Sequence, residues 1–217
     1  MPPTEGTHGR KGERAMKIPL RYQTTEFDCG PTALMNAVSY LFDCETIPPD
    51  IPRRISAIGN DSFDCDCRPG RRGTSAEAMR YAADWLNLYA GTTGFPLRCE
   101  FLSGEQVNLE PGSALRSCLE EGGAAVVHCL LCVGHYITLT GILEEQVAAF
   151  DPYYREEKLP GENSSFVSDH PKEYNLLIPI RHLDDTENRD CAMCRFGSRT
   201  AVLFRKTGEA PALEAAP

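Results

Sequence analysis

The chain of 217 residues is long enough for one well-buried domain and short for two. Its 31 acidic against 22 basic residues give a formal charge of −9, which argues against non-specific nucleic-acid binding. No apolar run reaches the roughly 20 residues of a membrane span, and the polar stretch up to Lys17 lacks the apolar core of a secretory signal, so a cytoplasmic protein is expected.

Residues 1–17 have no hydrophobic periodicity and are expected to be disordered, as is the Ala/Pro/Glu tail of 208–217, leaving 18–207 as a single domain. The first informative stretch starts at Gln23 and reaches Cys29-Gly30-Pro31, where an apolar-periodic segment opens. Ala33, Leu34, Ala37, Val38, Leu41 and Phe42 recur with helical spacing, so Cys29 falls at a helix N-terminus. The unpaired N–H groups and the helix dipole favour an anion there, and Pro31 is tolerated because the first turn needs no donor from it. Pro48, Pro49 and Pro52 then interrupt the chain before a short helix over 53–58.

The loop 60–73 that follows holds Asp64-Cys65-Asp66-Cys67 and the arginines Arg68, Arg71 and Arg72. Thr74 with Glu77 reads as a capping box opening a helix, with Ala78, Ala82, Trp85, Leu86 and Tyr89 as its buried stripe. A strand over 97–102 and a helix over 113–120 come next. The second half changes to short apolar runs rich in β-branched residues, at 124–132, 135–142, 147–150, 174–180 and 200–205. Helices first and strands afterwards predict an α+β fold with an antiparallel sheet packed on the first helix.

His135 opens one of these strands and Asp151 follows the next, 16 residues on. Pairing them across a hairpin requires a turn centred on residue 143, but the polar interruption falls at 144–146, so a bulge or a diagonal pairing must absorb the offset. A cysteine nucleophile, an imidazole base, a carboxylate to orient it, and Gln23 as an oxyanion donor make a complete set for acyl chemistry.

Gln23 to Leu34, then Gly134-His-Tyr-Ile-Thr-Leu-Thr-Gly-Ile142, then Phe150-Asp-Pro-Tyr153, resemble the bacteriocin-processing cysteine peptidases that cleave double-glycine leader peptides, and their stand-alone relatives. The resemblance implies a papain-like fold, with Cys29 as nucleophile, His135 as base, Asp151 as its orienting acid and Gln23 in the oxyanion hole. It also implies that Asp28, Gly30 and Gly134 flank the reacting groups at the substrate site. Arg71 and Arg72 are candidate contacts for an acidic segment of a peptide or protein substrate. No cofactor is required for such catalysis. Two other readings remain open, an acyltransferase in which an amine resolves the same thioester, and a peptide-binding module without turnover.

The remaining candidates are a base and a metal. His128 is a rival base, read here as a core histidine in mid-strand. Cys129 and Cys132 have metal-like spacing, but in one strand an odd offset points them to opposite faces, which favours packing. Cys65, Cys67, Cys191 and Cys194 lie in polar loops and can supply four thiolates to a structural zinc ion if the loops meet.

Overall fold

The computed structural model describes residues 18–59, 61–68, 70–155 and 164–208; the expected disordered tails lie outside these residues apart from Gly208. Among the described residues are five helices, α1 Cys29–Leu41, α2 Asp50–Ile58, α3 Ala76–Thr93, α4 Ala114–Glu120 and α5 Ile180–Leu183. The strands are β1 Leu97–Ser103, β2 Ala124–Leu131, β3 Val133–Leu143, β4 Gln146–Phe150, β5 Ser165–Phe166, β6 Leu176–Pro179 and β7 Thr200–Lys206. All seven form one antiparallel sheet in the order β1-β7-β2-β3-β4-β6-β5. This is the expected mixture of helix and antiparallel sheet, with α1 packed on β2, β3 and β7.

Two details go beyond expectation. The strand expected over 97–102 in the helical first half, β1, joins the same sheet as an edge and pairs with the last strand, β7. The sheet is also buried on both faces. Ala124 and Val126 of β2 join the core under α1, α2 and α3, whereas Ala125, Val127, Cys129 and Leu131 join a second core with Leu115, Cys118 and Leu119 of α4. That double burial explains why β2 reads as a continuous apolar run without alternation.

The cap of α3 is Ser75, whose hydroxyl accepts from the Ala78 N–H, and not Thr74 as the capping-box spacing suggested. Thr74 instead turns its hydroxyl onto the Gly59 carbonyl and its side chain onto Gly30. Ala78, Ala82 and Leu86 are buried as predicted, while Trp85 and Tyr89 are half-buried and stack on each other at 5.2 Å between ring centroids. β2 stops at Leu131 because Cys132 takes a left-handed conformation with φ of 64° and turns the chain into β3.

The β3–β4 hairpin carries the expected irregularity. Thr138 faces Phe150 and Leu139 faces Ala149, but Gly141 faces Ala148, so Thr140 is the extra residue of a bulge. Continued by one residue, the register beyond the bulge sets position 151 opposite Ile137, on the same side as position 135. Without the extra residue, position 151 would fall opposite Thr138 and its side chain would leave by the other face.

Candidate active site

Cys29 is the first residue of α1, buried, with Asp28 at the cap position and no side-chain capping bond. The first-turn N–H groups therefore have no acceptor within the helix. The thiol neighbours His135, which is itself buried and whose protonation it favours. His135 Nε2 lies 2.8 Å from Asp151 Oδ1, leaving Nδ1 as the ring nitrogen that serves Cys29. Cys29, His135 and Asp151 are thus brought together as the sequence suggested, with α1 supplying one group and the bulged hairpin the other two.

Asp151 is fully buried, and its position is fixed from several sides. The Tyr153 N–H donates to Oδ1 at 2.8 Å and Arg155 Nε to Oδ2 at 3.0 Å. The side-chain amide of Asn175 clamps its backbone, accepting from the Asp151 N–H at 2.8 Å and donating to the Asp151 carbonyl at 2.9 Å. Sequence reasoning singled out neither Arg155 nor Asn175. Asn175 precedes an apolar strand 24 residues away, and only the β4–β6 pairing brings it to Asp151.

Burial by itself would lower the His135 pKa, but the hydrogen bonds to Asp151 and Cys29, together with their charges, outweigh it and push the imidazole up to about 9. Because the folded value lies above the ordinary 6.5, this interaction contributes fully to stability at acidic pH and is lost as pH rises through about 9. NMR titration of labelled histidine should therefore find His135 still protonated at pH 7.5, and a midpoint near 6.5 would refute the pairing. His128 behaves oppositely. Burial and the nearby His135 lower its pKa, and its ring packs on Gly134 and lies edge-on to Tyr136 at 5.2 Å.

The backbone of Gln23 is set beside the segment that follows Asp151, because its lead-in is tied at two points. Asn36 of α1 accepts from the Arg21 N–H at 2.8 Å and donates to the Arg21 carbonyl at 2.9 Å, and the Gln23 N–H donates to the Pro152 carbonyl at 2.7 Å. The side chain points differently from expectation. Its Nε2 donates to the Thr25 carbonyl at 2.8 Å, and its buried Oε1 has no hydrogen-bond partner among the described residues.

The expected substrate-site residues divide. Asp28 is half-buried and accepts from the Thr24 hydroxyl at 3.0 Å. Gly30 is buried, and a Cβ there would collide with Thr74, so its role is close packing of α1 on the segment before α3. Gly134 is exposed next to His135, and a Cβ would come within 2.8 Å of His128 Nε2. Arg71 and Arg72 are exposed just before Gly73 and Thr74, which approach Phe27 and Gly30, so they flank the turn that leads into Cys29. Arg68 is paired with Asp64 at 2.8 Å and Asp66 at 2.7 Å.

The four-cysteine set is not assembled. Cys65 and Cys67 are exposed in a loop anchored to α3 through Asp61 and Ser75, whereas Cys191 belongs to the core on the other face of the sheet. A bridge between Leu130 and Ala192 instead sets the segment of Cys191 and Cys194 beside that of Cys129 and Cys132. Cys129 is buried and Cys132 exposed. Among the described residues, no group of three or more His, Cys, Asp and Glu side chains is placed to hold a metal ion. No helix among them is long and apolar enough to cross a membrane.

No family model matches the sequence, and no curated protein does. Among solved structures, the chain is similar to a double-glycine motif protease from an AMS/PCAT transporter, determined in complex with the leader peptide. The similarity has a TM-score of 0.42 at 16% identity and covers 91% of this chain and 96% of that one.

Proposed function

We propose that this protein is a cysteine peptidase of papain-like architecture, hydrolysing a peptide bond through Cys29, His135 and Asp151. The observation that carries this reading is the buried array itself, a helix-terminal thiol beside an imidazole whose Nε2 is held 2.8 Å from a fully buried carboxylate. An inert core cysteine needs neither a histidine nor a carboxylate behind it.

In this mechanism His135 already holds the proton of Cys29 as an imidazolium facing a thiolate, and the sulfur attacks the substrate carbonyl to form a tetrahedral oxyanion. The Cys29 N–H and Gln23 are the donors for that oxygen. The imidazolium then protonates the leaving amine, and water, deprotonated by His135, releases the acid and regenerates the ion pair. Asp151 keeps the ring in the orientation that points Nδ1 at sulfur.

For Gln23 to serve, its amide must leave the Thr25 carbonyl or use its second N–H. Gln23→Ala should lower kcat by about 10²–10³ with a smaller change in KM, the usual effect of losing one oxyanion donor. A loss below about threefold would leave the backbone N–H as the main donor.

The sequence resemblance points to an unstructured peptide with small residues, Gly-Gly or Gly-Ala, before the scissile bond. Arg71 and Arg72 flank the approach and suit an acidic upstream segment. Mass spectrometry of products from a peptide library, with amine acceptors present, tests the assignment directly. Free carboxyl termini after small residues support hydrolysis, and amide-linked acceptor products would replace it with acyl transfer. The pH profile provides a further check. Peptide hydrolysis should fall as pH rises through about 9, where the imidazolium is lost, while alkylation of Cys29 by iodoacetamide should not fall there.

A further inference from the structure

Among the described residues, Arg155 is the one permanent cation in contact with the Asp151 carboxylate. Its guanidinium is largely shielded and lies 4.9 Å from the centre of the Tyr153 ring, and the Tyr153 N–H donates to the same carboxylate. Residues 151–155 thus fold back so that the arginine sits on Oδ2 while His135 takes Oδ1. A fully buried carboxylate facing a neutral imidazole would be an uncompensated charge, and burial strongly disfavours such a state.

We propose that Arg155 is a positioning residue of the Cys29–His135–Asp151 array, keeping Asp151 ionised and in place in both protonation states of His135. The proposal rests on reading that array as catalytic. During turnover His135 must give its proton to the leaving amine and then accept another from water. Without Arg155, the neutral-imidazole state would leave Asp151 as a buried anion with no counter-charge, so the pair would retain its proton and the imidazolium would be a weaker acid. The guanidinium removes that obstacle by pairing with the far oxygen.

The groups that face His135 come from each surrounding element. They are Cys29 of α1, His128 and Cys129 of β2, and Asp151 after β4 with Arg155 behind it. His128 is held toward its neutral form by burial and by His135, and burial raises the Cys129 pKa far above the ordinary thiol range. Removing Arg155 therefore takes one positive charge from a set whose other members are unchanged. Proton binding by the His135–Asp151 pair must tighten.

The test is an NMR titration of the full chain labelled at histidine, comparing wild type with R155Q, R155M and R155K, the His135 signal being assigned with H135Q. The midpoint should rise by about one unit in R155Q and R155M, consistent with losing one charge a few ångströms behind the carboxylate. R155K, which retains a cation, should fall between these and wild type. A midpoint in folded R155Q or R155M equal to wild type would overturn the proposal. Failure of both to fold, read by circular dichroism, would also overturn it by assigning Arg155 to stability. The titration needs no substrate. An inactive wild type would therefore sink the peptidase reading alone, and an unmoved midpoint in an active enzyme would sink only the role of Arg155.

Discussion

Cys29→Ala should abolish peptide hydrolysis, lowering kcat by on the order of 10⁴–10⁶, while the protein stays folded. Alanine is well tolerated at a helix start, and the change removes one sulfur atom from the edge of the α1 core, so the stability cost should stay near 1 kcal/mol. His135→Ala should match it, and the double variant should be little worse than either, because the two groups act as a unit. Asp151→Asn should leave a residual rate, since it disturbs ring orientation without removing the proton carrier. His128→Ala should remain active, because its ring faces Gly134 and Tyr136. Product analysis decides among these outcomes. Undiminished hydrolysis in Cys29→Ala would remove the peptidase assignment, and an inactive His128→Ala beside an active His135→Ala would reverse the choice of base.

Arg199→Ala should destabilise the fold by roughly 3–5 kcal/mol, the usual result of breaking a buried charge network from one side. Arg199 is buried directly before β7 and serves five acceptors. Its Nε donates to the Cys194 carbonyl at 2.7 Å, Nη1 to the Val107 carbonyl at 2.9 Å and to Asp184, and Nη2 to the carbonyls of Asp184 and Asp185 at 2.7 and 3.1 Å. Asp184 in turn accepts from the Leu109 N–H at 2.8 Å. One guanidinium thereby joins three chain segments that lack regular pairing with one another. At a urea dependence of about 2 kcal/mol/M the unfolding midpoint should fall by roughly 2 M, and Arg199→Lys should recover little, since an ammonium cannot reproduce the planar fork. A midpoint within about 0.3 M of wild type would show that backbone contacts alone hold these segments.

The sequence announced the elements through periodicity, and it marked Cys29 as the candidate nucleophile through its place where an apolar helix begins. It also required a bulge or a diagonal contact between His135 and Asp151, because 16 residues do not match the position of the turn. The bulge at Thr140 meets that requirement by changing the parity of the strand. These features were legible because helical and strand periods, and the register of a hairpin, are properties of neighbouring residues.

What depended on residues far apart in the chain was decided only by the tertiary structure. Thr74 satisfied the spacing of a capping box, yet the approach of Gly30 and Gly59 took its side chain and passed the cap to Ser75. Cys132 looked like a strand residue until its left-handed turn placed it outside. The two loop pairs, Cys65 with Cys67 and Cys191 with Cys194, have similar local character, but the sheet stands between the regions they belong to. The supports of Asp151 were equally hidden. Asn175 directly precedes β6, two connections away, and Arg155 is a charged loop residue like many others until the chain folds back at Tyr153. Composition and period specify which face of an element is apolar, but the partner of a buried charge is set by the packing of the whole sheet.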